Sequence, residues 1–170
     1  KPFKKKRKSN SATSIMKYLS SLCLSMPWWY VLYTAQPLTE HGRAFLIVNA
    51  CATIASMVYR QFGTPLSKQI DQIMITALQI IFHVTSNIPS ALVLACISSH
   101  RIHYVYVVST LWYALEGHWF PKLMTLAIGG LCYAKNNEHA LYLWTWHFTG
   151  GMMCLYPFLF NEFETKVTIL

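Results

Sequence analysis

The stretch EHALYLWTWHFTGG, Glu138–Gly151, opens a run of 23 residues without Asp, Glu, Lys or Arg that ends only at Glu162. About 20 predominantly apolar residues cross a bilayer as one helix, so the run reads as a membrane span. His147 lies about a third of the way into it. An ionisable ring at such a depth is costly unless it faces a cavity, a ligand or another helix. The reading of the rest of the chain turns on what His147 meets.

Outward from this run the composition stays the same. Of 170 residues, 54% are hydrophobic, 15% aromatic and 12% charged. That is about half the roughly 25% charged share of a soluble domain. The expected fold class is all-α: a polytopic transmembrane helix bundle of about seven short-loop spans, with six as the alternative. The net charge of +8 does not point to nucleic acid, because six of the 14 basic residues fall in the first eight positions. Such a run is a tail rather than a basic face, and it lacks the aromatic interleaving of a single-strand binder. Lys4, Lys5, Lys6, Arg7 and Lys8 are expected at the membrane surface, where each basic residue gains about 1 kcal/mol against anionic headgroups. Cys23, Cys51, Cys96, Cys132 and Cys154 all lie in apolar stretches without a CxxC pair, which reads as buried small hydrophobes. No GxGxxG, P-loop, HExxH or GxSxG motif occurs.

Three segments are expected: a basic flexible tail over 1–14, a transmembrane helical domain over 15–161 and a short tail over 162–170. The basic, Ser-rich, acid-free start has the composition of an organellar transit segment or of a matrix-side tail. The first span is expected over Leu19–Thr39, kinked at Pro27, and the second over Ala44–Tyr59, with Arg43 and Arg60 snorkelling at its ends. Residues 61–70, QFGTPLSKQI, read as a loop broken by Gly63 and Pro65. Asp71 then opens 29 uncharged residues. A single helix of that length would measure roughly 43 Å, too long for one crossing of a core roughly 30 Å thick. Two short spans, 71–85 and 88–99, divided at Ser86–Pro89, are the reading. Spans over 102–115, 122–134 and 139–160 complete the bundle. Basic residues divide 11 to 3 between the two sides, which puts the N-terminus in the matrix or cytoplasm by the positive-inside rule.

In this layout Ser56 and Arg60 lie one helical turn apart near the end of the second span. Asp71 begins the third, and His147 descends in the last from the same side. The order resembles the CREST superfamily of seven-span membrane proteins: alkaline ceramidases, adiponectin/progestin receptors and Per1-like factors. The family pattern is a Ser followed four residues on by a His, an Asp opening the third span, and HxxxH in the seventh. Ser56, Asp71 and the WHxTG run at His147 match it. The resemblance implies a zinc held by three histidines and a water positioned for amide or ester hydrolysis of a lipid. This chain departs from the pattern where the metal would be held: Arg60 takes one histidine position and Leu143 another. Zinc ordinarily needs three protein ligands plus water. His139 does not replace Leu143, since residues eight apart on a helix point about 80° from each other. What the resemblance leaves is a vestigial catalytic set of Ser56, Asp71 and His147, with a structural ion pair between Arg60 and Asp71. Read without it, Arg60 is an interface anchor, Asp71 an N-terminal helix charge and His147 an interhelical hydrogen-bonding group.

The other histidines have weaker claims to chemistry. His83 lies deep in the third span and reads as a packed hydrogen-bonding residue. His100 and His103, with His139 on the same expected side, form a weak metal candidate. No cofactor is expected, zinc entering only under the hydrolase alternative, while bound lipids are. The function expected is that of a non-enzymatic accessory or structural subunit of a larger membrane complex in the mitochondrial inner membrane. Its partners would be membrane lipids and other membrane-protein subunits. The alternatives are a CREST-type metal-dependent lipid amidase or esterase, a lipid-binding receptor or a transporter, with the ER or Golgi membrane as the other location.

Overall fold

The computed structural model of the chain describes residues 11–85, 111–115, 117–135 and 139–163, and every regular element among them is helical. The first helix, α1, spans Ser11–Ser20, beginning inside the segment expected to be tail. A 3-10 segment, Ser21–Ser25, follows, and then α2, Met26–Thr34. The single kinked span expected over Leu19–Thr39 is therefore two helices around a 3-10 break. Pro27 does not kink a helix interior. It sits in the first turn of α2, where a missing N–H costs nothing because that donor has no helical partner anyway. Ala35, at φ 49°, ends the helix in the left-handed region.

Helix α3, Glu40–Phe62, has well-formed ends. The Thr39 hydroxyl accepts from Gly42 N–H at 3.2 Å, Glu40 lies in the first turn and Arg60 in the last. Each charge opposes the nearby end of the helix dipole. Gly63, at φ 62°, donates to the Tyr59 carbonyl at 2.8 Å and stops the helix. The loop expected over 61–70 shrinks to Gly63 and Thr64, because α4 already begins at Pro65 and runs to Thr85. Pro65 is a helix starter here rather than a breaker, and the Thr64 hydroxyl accepts from Ser67 N–H at 3.1 Å as its cap. Asp71 is then the seventh residue of α4, past the first turn where an N-terminal charge would gain from the dipole. Residues 111–115 are helical, α5 spans Trp119–Ala134 and α6 spans Ala140–Leu159. The spans expected over 88–99 and most of 102–115 lie outside the described residues, as do the break at Ser86–Pro89, His100 and His103. His83 is in α4, but its side chain is not among those described.

Two antiparallel pairs, α3 with α4 and α5 with α6, stand on either side of the α1–α2 segment, which packs against both α3 and α6. The 3-10 segment lies directly on α6. A Cβ at Gly151 would overlap the Cys23 carbonyl, so only glycine lets the two backbones meet here. Gly129 of α5 instead receives a side chain, the Thr149 hydroxyl of α6. Small residues at helix contacts permit this close approach.

The remaining core gathers at the other end of the bundle. Phe45, Phe158 and Phe163 form a three-ring cluster with centroids 4.9–5.8 Å apart. Beside it Lys122 is wholly buried and pairs with Glu162 at 2.5 Å. Glu162 also accepts from the Tyr113 hydroxyl at 2.7 Å, and the Lys122 ammonium lies 3.8 Å from the Tyr113 ring centroid. Residues 111–115, α5 and the turn after α6 are tied together at this point. Among the described residues one helix, α3, is long and apolar enough to cross a membrane by length and hydropathy.

Two outcomes test this packing. Gly151→Ala is expected to lower unfolding stability by about 1–3 kcal/mol, the usual cost of overpacking, whereas Gly130→Ala, in open space, is expected to be neutral or slightly stabilising. Glu162→Gln removes the carboxylate facing a buried ammonium and should cost about 3 kcal/mol or more. Denaturant titrations in mixed micelles check both.

Candidate functional site

The C-terminal half of α3 and the first half of α6 meet the junction of α1 and the 3-10 segment, and α4 packs against α3. Five polar side chains are buried there: Ser20, Ser21, Ser56, Asp71 and His147, none more than 7% exposed. Each comes from its own helical register. Ser56 is on the inner face of α3 with Asn49, Ala52 and Thr53, at the three- and four-residue spacings of one helix stripe. Asp71 follows Ser67 by four residues on the buried side of α4. His147 follows Leu143 by four on α6, both buried.

The hydrogen bonds decide the state of the histidine. Ser20 Oγ lies 2.7 Å from the Lys17 carbonyl and 2.7 Å from His147 Nδ1. A hydroxyl has one hydrogen, and a carbonyl can only accept. The Ser20 hydrogen therefore goes to Lys17, and the second bond is filled by Nδ1–H of His147 donating to Ser20 Oγ. The neutral ring then carries its lone pair on Nε2. On the other side of the same peptide unit, Ser21 Oγ donates to Ser56 Oγ at 3.3 Å. Asp71 of α4 is buried on the helix that packs against α3. The adjacent residues Ser20 and Ser21 thus reach His147 with one hydroxyl and Ser56 with the other.

Arg60, a turn beyond Ser56 on α3, lies within electrostatic reach of both Asp71 and His147. Arg60 thus acts electrostatically on residues of both α4 and α6. The geometry of the expected Arg60–Asp71 pair is looser than a bonded salt bridge. The two make no contact within 4 Å, and Arg60 Nε and Asp71 Oδ1 each lack a hydrogen-bond partner. Asn49, deeper on α3, is also fully buried with both amide atoms unpartnered, beside the Cys154 thiol.

These residues do not fit zinc. Leu143 is a buried hydrocarbon one turn before His147, and the Arg60 guanidinium is always protonated, with no lone pair to offer. His147 is the single histidine placed among these buried residues, its Nδ1 already engaged by Ser20, and no group of three His, Cys, Asp or Glu suited to a metal occurs among the described residues. His139 is elsewhere: it is exposed and caps α6, its Nδ1 accepting from Leu141 N–H at 3.1 Å. What the cluster can do is hold a fixed positive charge beside a carboxylate and a tautomerically fixed imidazole, sealed from solvent.

Ser20 and Ser21 do not stand out in the sequence. Their only signal is a pair of hydroxyls at the start of an apolar run, YLSSLCLS, and such small polar residues read equally well as helix-packing positions. Charge counting puts Lys122 at a membrane boundary, yet it is wholly buried. Comparison of the chain with family models, with curated proteins and with solved structures returns no match.

A double-mutant cycle between Ser20→Ala and His147→Ala is expected to give a coupling of about 1 kcal/mol, the worth of one buried hydrogen bond. The same cycle with Ser25→Ala, whose hydroxyl bonds only the Leu22 carbonyl and Trp29 indole of its own segment, should give none.

Proposed function

We propose that this chain is a non-enzymatic, multi-span membrane subunit built on the plan of CREST-type lipid hydrolases, with the metal replaced by the Arg60 guanidinium. The observation that carries the reading is the burial of Ser56, Asp71 and His147, with Arg60 within electrostatic reach of the last two, while buried Leu143 stands at the remaining ligand position. A cation at that place can offset Asp71 and fix the helices around it. It cannot lower the pKa of a coordinated water as zinc does, so the catalytic step of such hydrolases has no agent.

Membrane residence is supported by the distribution of polarity. Ile47, Ile54, Leu66, Ile73, Leu131 and Leu141 are exposed, while Asn49, Ser56, Asp71 and His147 are buried. That arrangement suits hydrocarbon outside and interhelical hydrogen bonding inside. The bundle has seven spans in this reading, with the N-terminus on the matrix or cytoplasmic side and Lys4–Lys8 against anionic headgroups. With so little mass outside the bilayer, its partners are lipids and other membrane subunits, and the basic, acid-poor start favours the mitochondrial inner membrane.

Three measurements test this. The protein should stay in the membrane pellet on alkaline carbonate extraction and should carry other chains or lipids in a native mass spectrum after gentle solubilisation. Metal analysis should find no stoichiometric zinc in the wild-type chain, whereas the double variant Arg60→His/Leu143→His should bind about one zinc per chain, the usual three-ligand requirement then being met. Stoichiometric zinc in the wild type that disappears in His147→Ala would overturn the reading in favour of a hydrolase.

A further inference from the structure

We infer that the α1–3-10 junction is a self-occluding strap whose Ser20–Ser21 pair occupies the hydrogen-bonding positions of the interior site. The inference rests on the contacts alone and holds for a catalytic or a non-catalytic site. Ser20 and Ser21 are both 0% exposed, and each makes a bond to a residue far along the chain: Ser20 to His147, Ser21 to Ser56. These are the atoms of the cluster that a hydroxyl- or amide-bearing ligand would use. A ligand entering from the α1 side meets two hydroxyls supplied by the protein itself.

The way the strap is held distinguishes it from the rest of the bundle. Residues 21–25 are 3-10, a geometry with poorer hydrogen bonds that commonly marks a hinge. Ser20 and Ser25 each return a hydroxyl to the carbonyl three residues earlier, but Ser25 makes no bond to α3 or α6, whereas Ser20 also bonds His147. Against α6 the Cys23 backbone lies on Gly151, flanked by the Leu24 side chain over Gly150 and the Met26 sulfur over Gly151. Leu19 and Leu22 are exposed on the outer side. The segment therefore lies on α6 through glycine contacts, and its polar ties to the interior are the two hydroxyl bonds of Ser20 and Ser21. Losing either tie favours local opening.

The tautomer makes opening measurable. Nε2 of His147 carries the lone pair, and diethylpyrocarbonate acylates an unprotonated imidazole nitrogen. His41 and His118, both exposed, serve as internal references in the solubilised full-length chain, with modification rates mapped by mass spectrometry. Wild-type His147 should react at least about tenfold more slowly than the references, and each of Ser20→Ala and Ser21→Ala should raise its rate by up to about tenfold, the effect of one buried hydrogen bond on a local opening equilibrium. The double variant should raise it further, and Ser25→Ala should leave it unchanged. Wild-type His147 reacting as fast as His41 and His118 overturns the inference without any variant. So does a His147 that stays fully protected in both single variants, or one that Ser25→Ala exposes equally.

Discussion

The contact on which the structure depends is the seat of the Cys23 carbonyl against Gly151. It is a backbone-to-backbone approach in the middle of the bundle, and no larger residue than glycine permits it. Because the 3-10 segment can sink onto α6 at this point, α3 can close over it from the other side. The consequence is felt a turn away. Ser20 reaches His147 and Ser21 reaches Ser56 only because the segment is this deep. Displaced outward by the radius of a methyl group, it would lose both bonds together. A steric permission at one glycine thus sets the hydrogen bonding of a site built from α1, α3, α4 and α6.

Two different kinds of physics hold the two ends of the bundle. The site end is polar, and its stability comes from satisfied hydroxyls, each interhelical bond worth about 0.6–2 kcal/mol in a membrane setting. The opposite end relies on ring packing among Phe45, Phe158 and Phe163 and on the Lys122–Glu162–Tyr113 contact. That end anchors the termini of α5 and α6, leaving the site end to depend on the strap.

A guanidinium and a zinc ion both bring positive charge to a carboxylate, but they act differently on the groups around them. Zinc offers coordination positions and polarises a water. Arg60 offers only N–H donors in a fixed plane. Placed a turn after Ser56, it lies within electrostatic reach of Asp71 and His147 without a bonded contact to Asp71.

The amino-acid sequence by itself determined the helical class, through long uncharged runs, and the stop of α3 at Gly63, whereas Thr39, which caps the start of α3, reads as the end of the preceding span. It placed Ser56, Arg60, Asp71 and His147 on one side only under seven spans, since six would bring His147 in from the opposite face. It misjudged Pro65, since the same residue that breaks a helix interior begins one equally well, and Asp71 moved from a helix end to its second turn as a result. It gave no notice of the 3-10 break or of the roles of Ser20 and Ser21. Those were decided only in the tertiary structure. Capping and periodicity are short-range rules, read from residues a few positions apart. Whether Ser20 meets His147, 127 positions away, depends on how closely two backbones approach, and Gly151 sets that distance through space.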